Sequence, residues 1–269
     1  MIAMSRPSEG YLEISGYNTH YTRWGEKGSK VVLLHSMGMD SHSMDLLSEA
    51  LYHKHRILAV TILGHGDSSI PDKPITLPEH ADLMYQCMKK LDFMPCILIG
   101  HSIGGRISMI IASEHPSEIR GLILVDIVPP DPAAHPWSQQ TPEPFKNTTE
   151  ALNFLKLRYP NFTSEYIDNR LKYGFTIQTD GSLKMKPAGN ANMTSYDTDL
   201  WPFVERIRVP TLLVSGSESN IAKPDKIERM KKSIPRFEVV IIGGAGHMVP
   251  QEKPKEFEDA VTIFIKRVE

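Results

Sequence analysis

Gly100-His101-Ser102-Ile103-Gly104 sets a serine between two glycines where an apolar run ends and a helical pattern begins. A serine at the tip of so tight a strand-to-helix turn is a nucleophile elbow. The turn forces unusual dihedrals on the serine, and the residues two before and two after it come too close for side chains. Ser102 Oγ then stands over a helix N-terminus, where partial positive charge favours a developing anion. A hydroxyl becomes a useful nucleophile only when a base takes its proton, so a histidine is needed at another strand end. Of the 11 histidines, His247 suits that role, since it follows the apolar run 238–242 through Gly243-Gly244-Ala245-Gly246. His35, His65 and His101 fall near the same edge and read as loop or pocket wall, with His101 pointing away from the base position.

These residues need strands to carry them. The runs 31–35, 56–61, 96–100, 121–126, 211–215 and 238–242 are short and nearly continuously apolar, as strands buried on both faces are. Between them lie apolar residues at three-to-four spacing: Met84, Cys87, Met88 and Leu91; Ile107, Ile110 and Ile111; Phe257, Val261, Phe264 and Ile265. Alternating strands and helices predict an α/β fold with a mostly parallel sheet and helices on both faces, whose ligands bind beyond the carboxyl ends of the strands. Residues 11–26 read as an antiparallel hairpin ahead of the first buried strand. The alternation fails after residue 127, where six prolines between 129 and 144 interrupt regular structure. We therefore divide the chain into a core, 1–127 and 209–269, and an inserted cap, 128–208. Aromatic residues of the insert, Trp137 among them, either line a pocket or pack its own small core.

Composition narrows the classes. The 269 residues are 41% hydrophobic and 23% charged, which suits a globular protein and excludes disorder and fibrous repeats. Thirty Lys and Arg against 32 Asp and Glu, with no basic run, argue against nucleic acid as a partner. No apolar stretch approaches the ~20 residues that span a bilayer, and residues 1–10 lack the apolar region of a secretory signal, so a cytoplasmic location without a membrane partner is expected. Cys87 and Cys96 read as small buried hydrophobes. With no phosphate-binding glycine loop and no metal-ligand motif, neither cofactor nor metal is expected.

Leu33-Leu34-His35, Gly64-His65-Gly66-Asp67-Ser68, the elbow and Gly246-His247 together make the chain similar to α/β-hydrolases, of the serine carboxylesterase kind, over essentially its whole length. The resemblance implies an eight-stranded, mostly parallel sheet with an inserted helical cap. It also implies an oxyanion hole from the backbone N–H groups of Met37 and Ile103, although Ser36 replaces the usual glycine. Thr61 stands where many members keep an aspartate and is read as structural. In many members the triad acid lies three residues after the glycine that ends the seventh strand, and here that position is Ser219. Asp126, at the end of the sixth strand, matches the place where a minority carry it. Glu218 is the alternative acid, and Ser219 an auxiliary residue against the histidine.

By that resemblance Ser102 attacks a carbonyl, His247 serves as base and Asp126 orients it. Residues 150–161 and 216–221 look most like the group containing 2-(acetamidomethylene)succinate hydrolase, an amide hydrolase, in which Arg158 matches one of two carboxylate-gripping arginines. Ser36, His101, Trp137 and Arg158 are candidate substrate-binding residues. The expected activity is cleavage of small, mainly short-chain carboxylic esters. Amide, lactone and carbon–carbon bond hydrolysis use the same triad, and a binding protein that retains the fold with little turnover is a further alternative. The partner expected is a small-molecule ester, and the sequence leaves the oligomeric state open.

Overall fold

A computed structural model describes residues 7–130, 142–189 and 197–269, together with the backbone of 194–195. The central sheet has eight strands: β1 (Ser8–Ile14), β2 (Tyr17–Trp24), β3 (Ser29–Leu34), β4 (His55–Val60), β5 (Cys96–His101), β6 (Ile119–Val125), β7 (Thr211–Gly216) and β8 (Phe237–Ile242). Their spatial order is β1-β2-β4-β3-β5-β6-β7-β8, antiparallel at β1, β2 and β4 and parallel from β4 onward. The β1–β2 hairpin turns through Ser15-Gly16, both at positive φ as primed hairpin turns require.

The strand residues sort to two faces with the period of two that the pleat imposes. Val32, Leu34, Leu58, Val60, Leu98, Leu122, Leu124 and Leu213 join the core beneath α2 (Leu77–Lys90) and α3 (Ile103–Glu114). Val31, Leu33, Ile57, Ala59, Ile97, Ile99, Ile123, Val125 and Val214 face the opposite core, covered by α1 (Asp45–Leu51) and the C-terminal helix Pro254–Val268. Both faces being apolar is why these runs show no polar alternation in sequence. The run 238–242 is the exception to the double burial expected of it. As β8 it forms the sheet's edge, with Ile241 more than half exposed. Cys87 and Cys96 are buried, free thiols.

Between β6 and β7 the chain leaves the sheet. Here α4 (Thr148–Arg158) and α5 (Ser164–Tyr173) pack on a small core of Ala151, Leu155, Ile167, Phe175, Leu183 and Met185. This insert is not wholly helical: Phe175–Ile177 and Leu183–Met185 pair as an antiparallel ribbon, turned at Asp180-Gly181 with Gly181 at φ 83°. No helix among the described residues is long and apolar enough to cross a membrane.

Candidate active site

β5 ends at His101, and Ser102 takes φ 54° and ψ −112° before α3 begins at Ile103. Its N–H still donates to Val125 O of β6 at 3.1 Å, so the sheet holds the elbow from one side. Close packing fixes the glycines. A Cβ on Gly100 would lie 2.4 Å from Gly104 O and from Ser108 Oγ, and one on Gly104 would lie 2.4 Å from Leu34 O. That second approach lets Gly104 N–H donate to His35 O at 3.2 Å, binding the first turn of α3 to the end of β3. Ile103, first in the helix, has an N–H without an intrahelical acceptor, aimed out of the helix start.

His247 sits in the loop after β8, and its Nδ1–H donates to Asp126 Oδ2 at 2.6 Å. This fixes the tautomer and leaves the Nε2 lone pair free to accept a proton. Asp126 is wholly buried at the end of β6, in the left-handed region at φ 45°, with its N–H on Val214 O. Ser215 Oγ and Gly216 N–H donate to its Oδ1, and Ser219 Oγ donates to Oδ2 at 2.5 Å. Burial by itself would raise the carboxyl's pKa, but the hydrogen bonds from His247, Ser215 and Ser219 outweigh it and hold the group below the ordinary carboxylate range. Asp126 is therefore an ionised, fully hydrogen-bonded partner for an imidazolium.

The histidine loop is held from behind as well. Glu252, in the short helix Val249–Glu252, accepts from Gly246 N–H at 2.6 Å and from Met248 N–H at 3.3 Å, bracketing His247. His101 Nε2 donates to His247 O at 3.0 Å, with the two rings 5.1 Å apart. Burial, and then the neighbouring His247, push the His101 pKa down to about 3, so it stays neutral.

Across from this loop, His35 fixes the segment that carries Met37. His35 Nδ1–H donates to Ser36 O at 2.8 Å, and Nε2 accepts from Ile62 N–H at 2.9 Å. Arg170 of α5 also reaches this segment: its Nη1 pairs with Asp40 Oδ2 at 2.9 Å and its Nη2 donates to Gly38 O at 2.7 Å, both side chains being buried. The insert is thus attached to the loop after β3 by a charge-assisted clamp. Stacking of Tyr173 on His42, 3.6 Å between ring centroids, reinforces it.

A strained serine at an elbow, a histidine held by a buried carboxylate and a backbone amide at a helix start are parts that nucleophilic acyl transfer requires. Residues 30–254 match the family described as the alpha/beta hydrolase fold. The chain belongs to that family. Among relatives of this α/β-hydrolase is the 2-(acetamidomethylene)succinate hydrolase of Mesorhizobium japonicum, 27% identical over 250 residues, covering 89% of this chain and 90% of that one. The sn-1-specific diacylglycerol lipase of Mus musculus is 24% identical over 265 residues, 87% of this chain and 80% of its own. A crystal structure of E-2-(acetamidomethylene)succinate hydrolase superposes with a TM-score of 0.85 over 97% of this chain and all of the other, at 24% identity. Lipase and acetamido-compound hydrolase both occur among its relatives, so family membership extends to hydrolysis and not to the bond cleaved.

The structure sorts the residues singled out in the sequence. Asp126 is the carboxylate against His247, whereas Glu218 is exposed and engages through its backbone N–H, which donates to Ala245 O at 2.9 Å. Ser219 touches the aspartate and not the histidine. Two candidate substrate contacts lie in the interior instead: His101 supports the histidine loop, and Ser36 is buried with its Oγ 3.8 Å from Met248 Sδ. Arg158 ends α4 exposed, its guanidinium 5.8 Å from the Tyr159 ring centre. Trp137 lies outside the described residues. Sequence reasoning missed Ser215 and Arg170, which act through partners distant in the chain, and Glu252, whose nearby partners are backbone amides that no residue type marks.

Proposed function

We propose that this α/β-hydrolase cleaves carboxylic esters of small, mainly short-chain acyl substrates through an acyl-enzyme on Ser102. The observation that carries the reading is Asp126, buried and ionised, donating no proton of its own and holding His247 by Nδ1. His247 Nε2 takes the Ser102 proton as Oγ attacks the carbonyl, and the N–H groups of Met37 and Ile103 receive the oxyanion. His247 returns the proton to the leaving alkoxide. Water then enters by the same base and releases the acid.

A small substrate agrees with the packing of the insert, whose described rings largely meet one another: Phe145 against Phe154 at 5.0 Å and Tyr159 on Phe162 at 4.4 Å. A second reading, amide hydrolysis, is favoured by the 27% identity to an enzyme whose named substrate carries an acetamido group. The exposed position of Arg158 speaks against a dicarboxylate gripped as in that group.

Intact mass after brief exposure to a small serine-reactive phosphonate, beside hydrolysis of acetyl, butyryl and octanoyl p-nitrophenyl esters and the matching anilides, tests the proposal. One adduct, absent in Ser102→Ala, with ester turnover that declines at the longest chain, supports it. Anilide turnover as fast as ester turnover would move the assignment to the amide reading. Without adduct or turnover the enzyme reading fails, and a ligand-binding role takes its place.

A further inference from the structure

Away from the active site, Glu9 of β1, His20 of β2 and His42 of the turn before α1 converge from three separate stretches of chain. His20 Nε2 lies 3.6 Å from one Glu9 carboxylate oxygen and His42 Nε2 lies 3.8 Å from the other. All three donor atoms fall within 4.8 Å of one another. The separations exceed hydrogen-bond length, yet tetrahedral ligands at about 2.0–2.1 Å from a common ion stand about 3.4 Å apart. The imidazoles thus face the carboxylate across a gap that an ion would fill by drawing the donors together by at most about 1.4 Å.

The atoms behind the donors strengthen the case. His42 Nδ1 is 2.9 Å from Asp45 Oδ2, which also accepts from Asn169 Nδ2 at 3.2 Å. His20 Nδ1 is 3.1 Å from Thr61 Oγ1 and 3.3 Å from Ser41 Oγ. Each ring therefore has an acceptor for an Nδ1 proton, which directs the Nε2 lone pair toward the shared gap. A metal-bound histidine is normally supported in this way, by a carboxylate or hydroxyl on its far nitrogen. Tyr173 stacked on His42 fixes one ring plane further.

We propose that Glu9, His20 and His42 form a binding site for one divalent transition-metal ion. Two imidazole nitrogens and one carboxylate select a borderline ion such as zinc over calcium or magnesium, which take oxygen donors. Both buried histidines coordinate as neutral rings through Nε2, any proton there passing to solvent. Glu9 is on the exposed side, so solvent water completes the tetrahedron. The ion joins the β1–β2 hairpin to the turn following Asp40, the same junction that Arg170 clamps from the insert. Its role is to brace that junction, with no part in the chemistry at Ser102.

The test starts from chelator-treated full-length protein. Zinc is titrated against a chromogenic chelator, and cobalt(II) is followed by its visible absorption. One equivalent is expected, with tetrahedral cobalt bands, and a thermal midpoint raised by about 5 °C or more when free zinc exceeds Kd a hundredfold. Glu9→Gln, at an exposed position that does not disturb the core, should weaken binding at least tenfold and abolish most of the thermal shift. His20→Gln should do the same in whatever fraction folds. Failure to take up one equivalent, or uptake unchanged in Glu9→Gln, overturns the site.

Discussion

Arg170 and Asp40 form an ion pair buried at both ends, joining α5 to the loop that follows β3. Removing one partner would leave an uncompensated charge in the interior, which costs ~3–5 kcal/mol. Arg170→Leu is accordingly expected to lower unfolding stability by about that amount. Asp40→Asn alone should also destabilise, and the double variant should lose less than the sum of the two singles. Urea denaturation of all four proteins gives the coupling directly, and additive losses would show that the pair does not act as a unit.

Asp126 and Glu218 are separable by charge-neutral substitution. Asp126→Asn turns an amide toward His247 Nδ1 and favours the wrong tautomer, so turnover should fall ~10³–10⁴-fold. Glu218→Gln changes an exposed side chain and should leave kcat/KM within about twofold. Comparable losses in the two variants would remove Asp126 from its assigned role.

Gly104 allows α3 to start against the end of β3. In Gly104→Ala the added carbon would sit 2.4 Å from Leu34 O, a backbone atom that cannot rotate away. Shifting the elbow by even ~1 Å should cost about a hundredfold or more in turnover. Gly181→Ala is the control: it too replaces a glycine, at φ 83° in the insert's hairpin turn but with nothing within 4 Å, so it should lose stability and keep its kcat. Steady-state kinetics on both variants, with circular dichroism to show folding, distinguishes the site effect from a general glycine effect.

The buried histidines set an acid limit. Burial pushes His35 and His65 down to about 3 and His80 to about 4, from an ordinary value of 6.5. Below pH ~6.5 the unfolded chain binds a proton at each of these positions and the folded chain does not. Stability is therefore complete above that pH and declines as pH falls toward 4, by up to ~1.4 kcal/mol per pH unit for each histidine. His42, raised because its bond to Asp45 and the charges of Asp45, Asp40 and Glu9 together outweigh burial, opposes the trend as a single group. Asp126, whose pKa is depressed, adds its own loss only in stronger acid. Urea midpoints should drop steeply between pH 6.5 and 4.5, and His65→Gln should reduce the slope by about one proton. A flat profile across that interval would contradict the burial of neutral imidazoles.

Much of the fold was legible because its physical causes are local. Doubly buried strands such as β3 and β5 announce themselves as unbroken apolar runs, and the elbow needs glycines at positions fixed by van der Waals contact. The edge strand β8 misled, since Val239, Val240 and Ile241 look interior by type while half of that strand faces outward. Candidate contacts failed for a related reason. Residue type identifies His101 as chemically able but says nothing of the 146-residue separation across which it meets His247. Arg170 depends on such a distant meeting, whereas Glu252 binds nearby backbone amides and Glu9 meets His20 across one hairpin, contacts set by backbone geometry that residue type does not display.

The 2.5 Å bond between Ser219 and Asp126 carries a rule for choosing between two strands. Side chains that close compete for one small, water-poor volume, and two ionised carboxylates could not share it unless one kept its proton. The acid thus has two alternative addresses with a single occupancy. A hydroxyl found at the first address is itself a signpost to a carboxylate at the second, so a relative that lacks the seventh-strand acid should be searched at the end of its sixth strand before it is judged inactive.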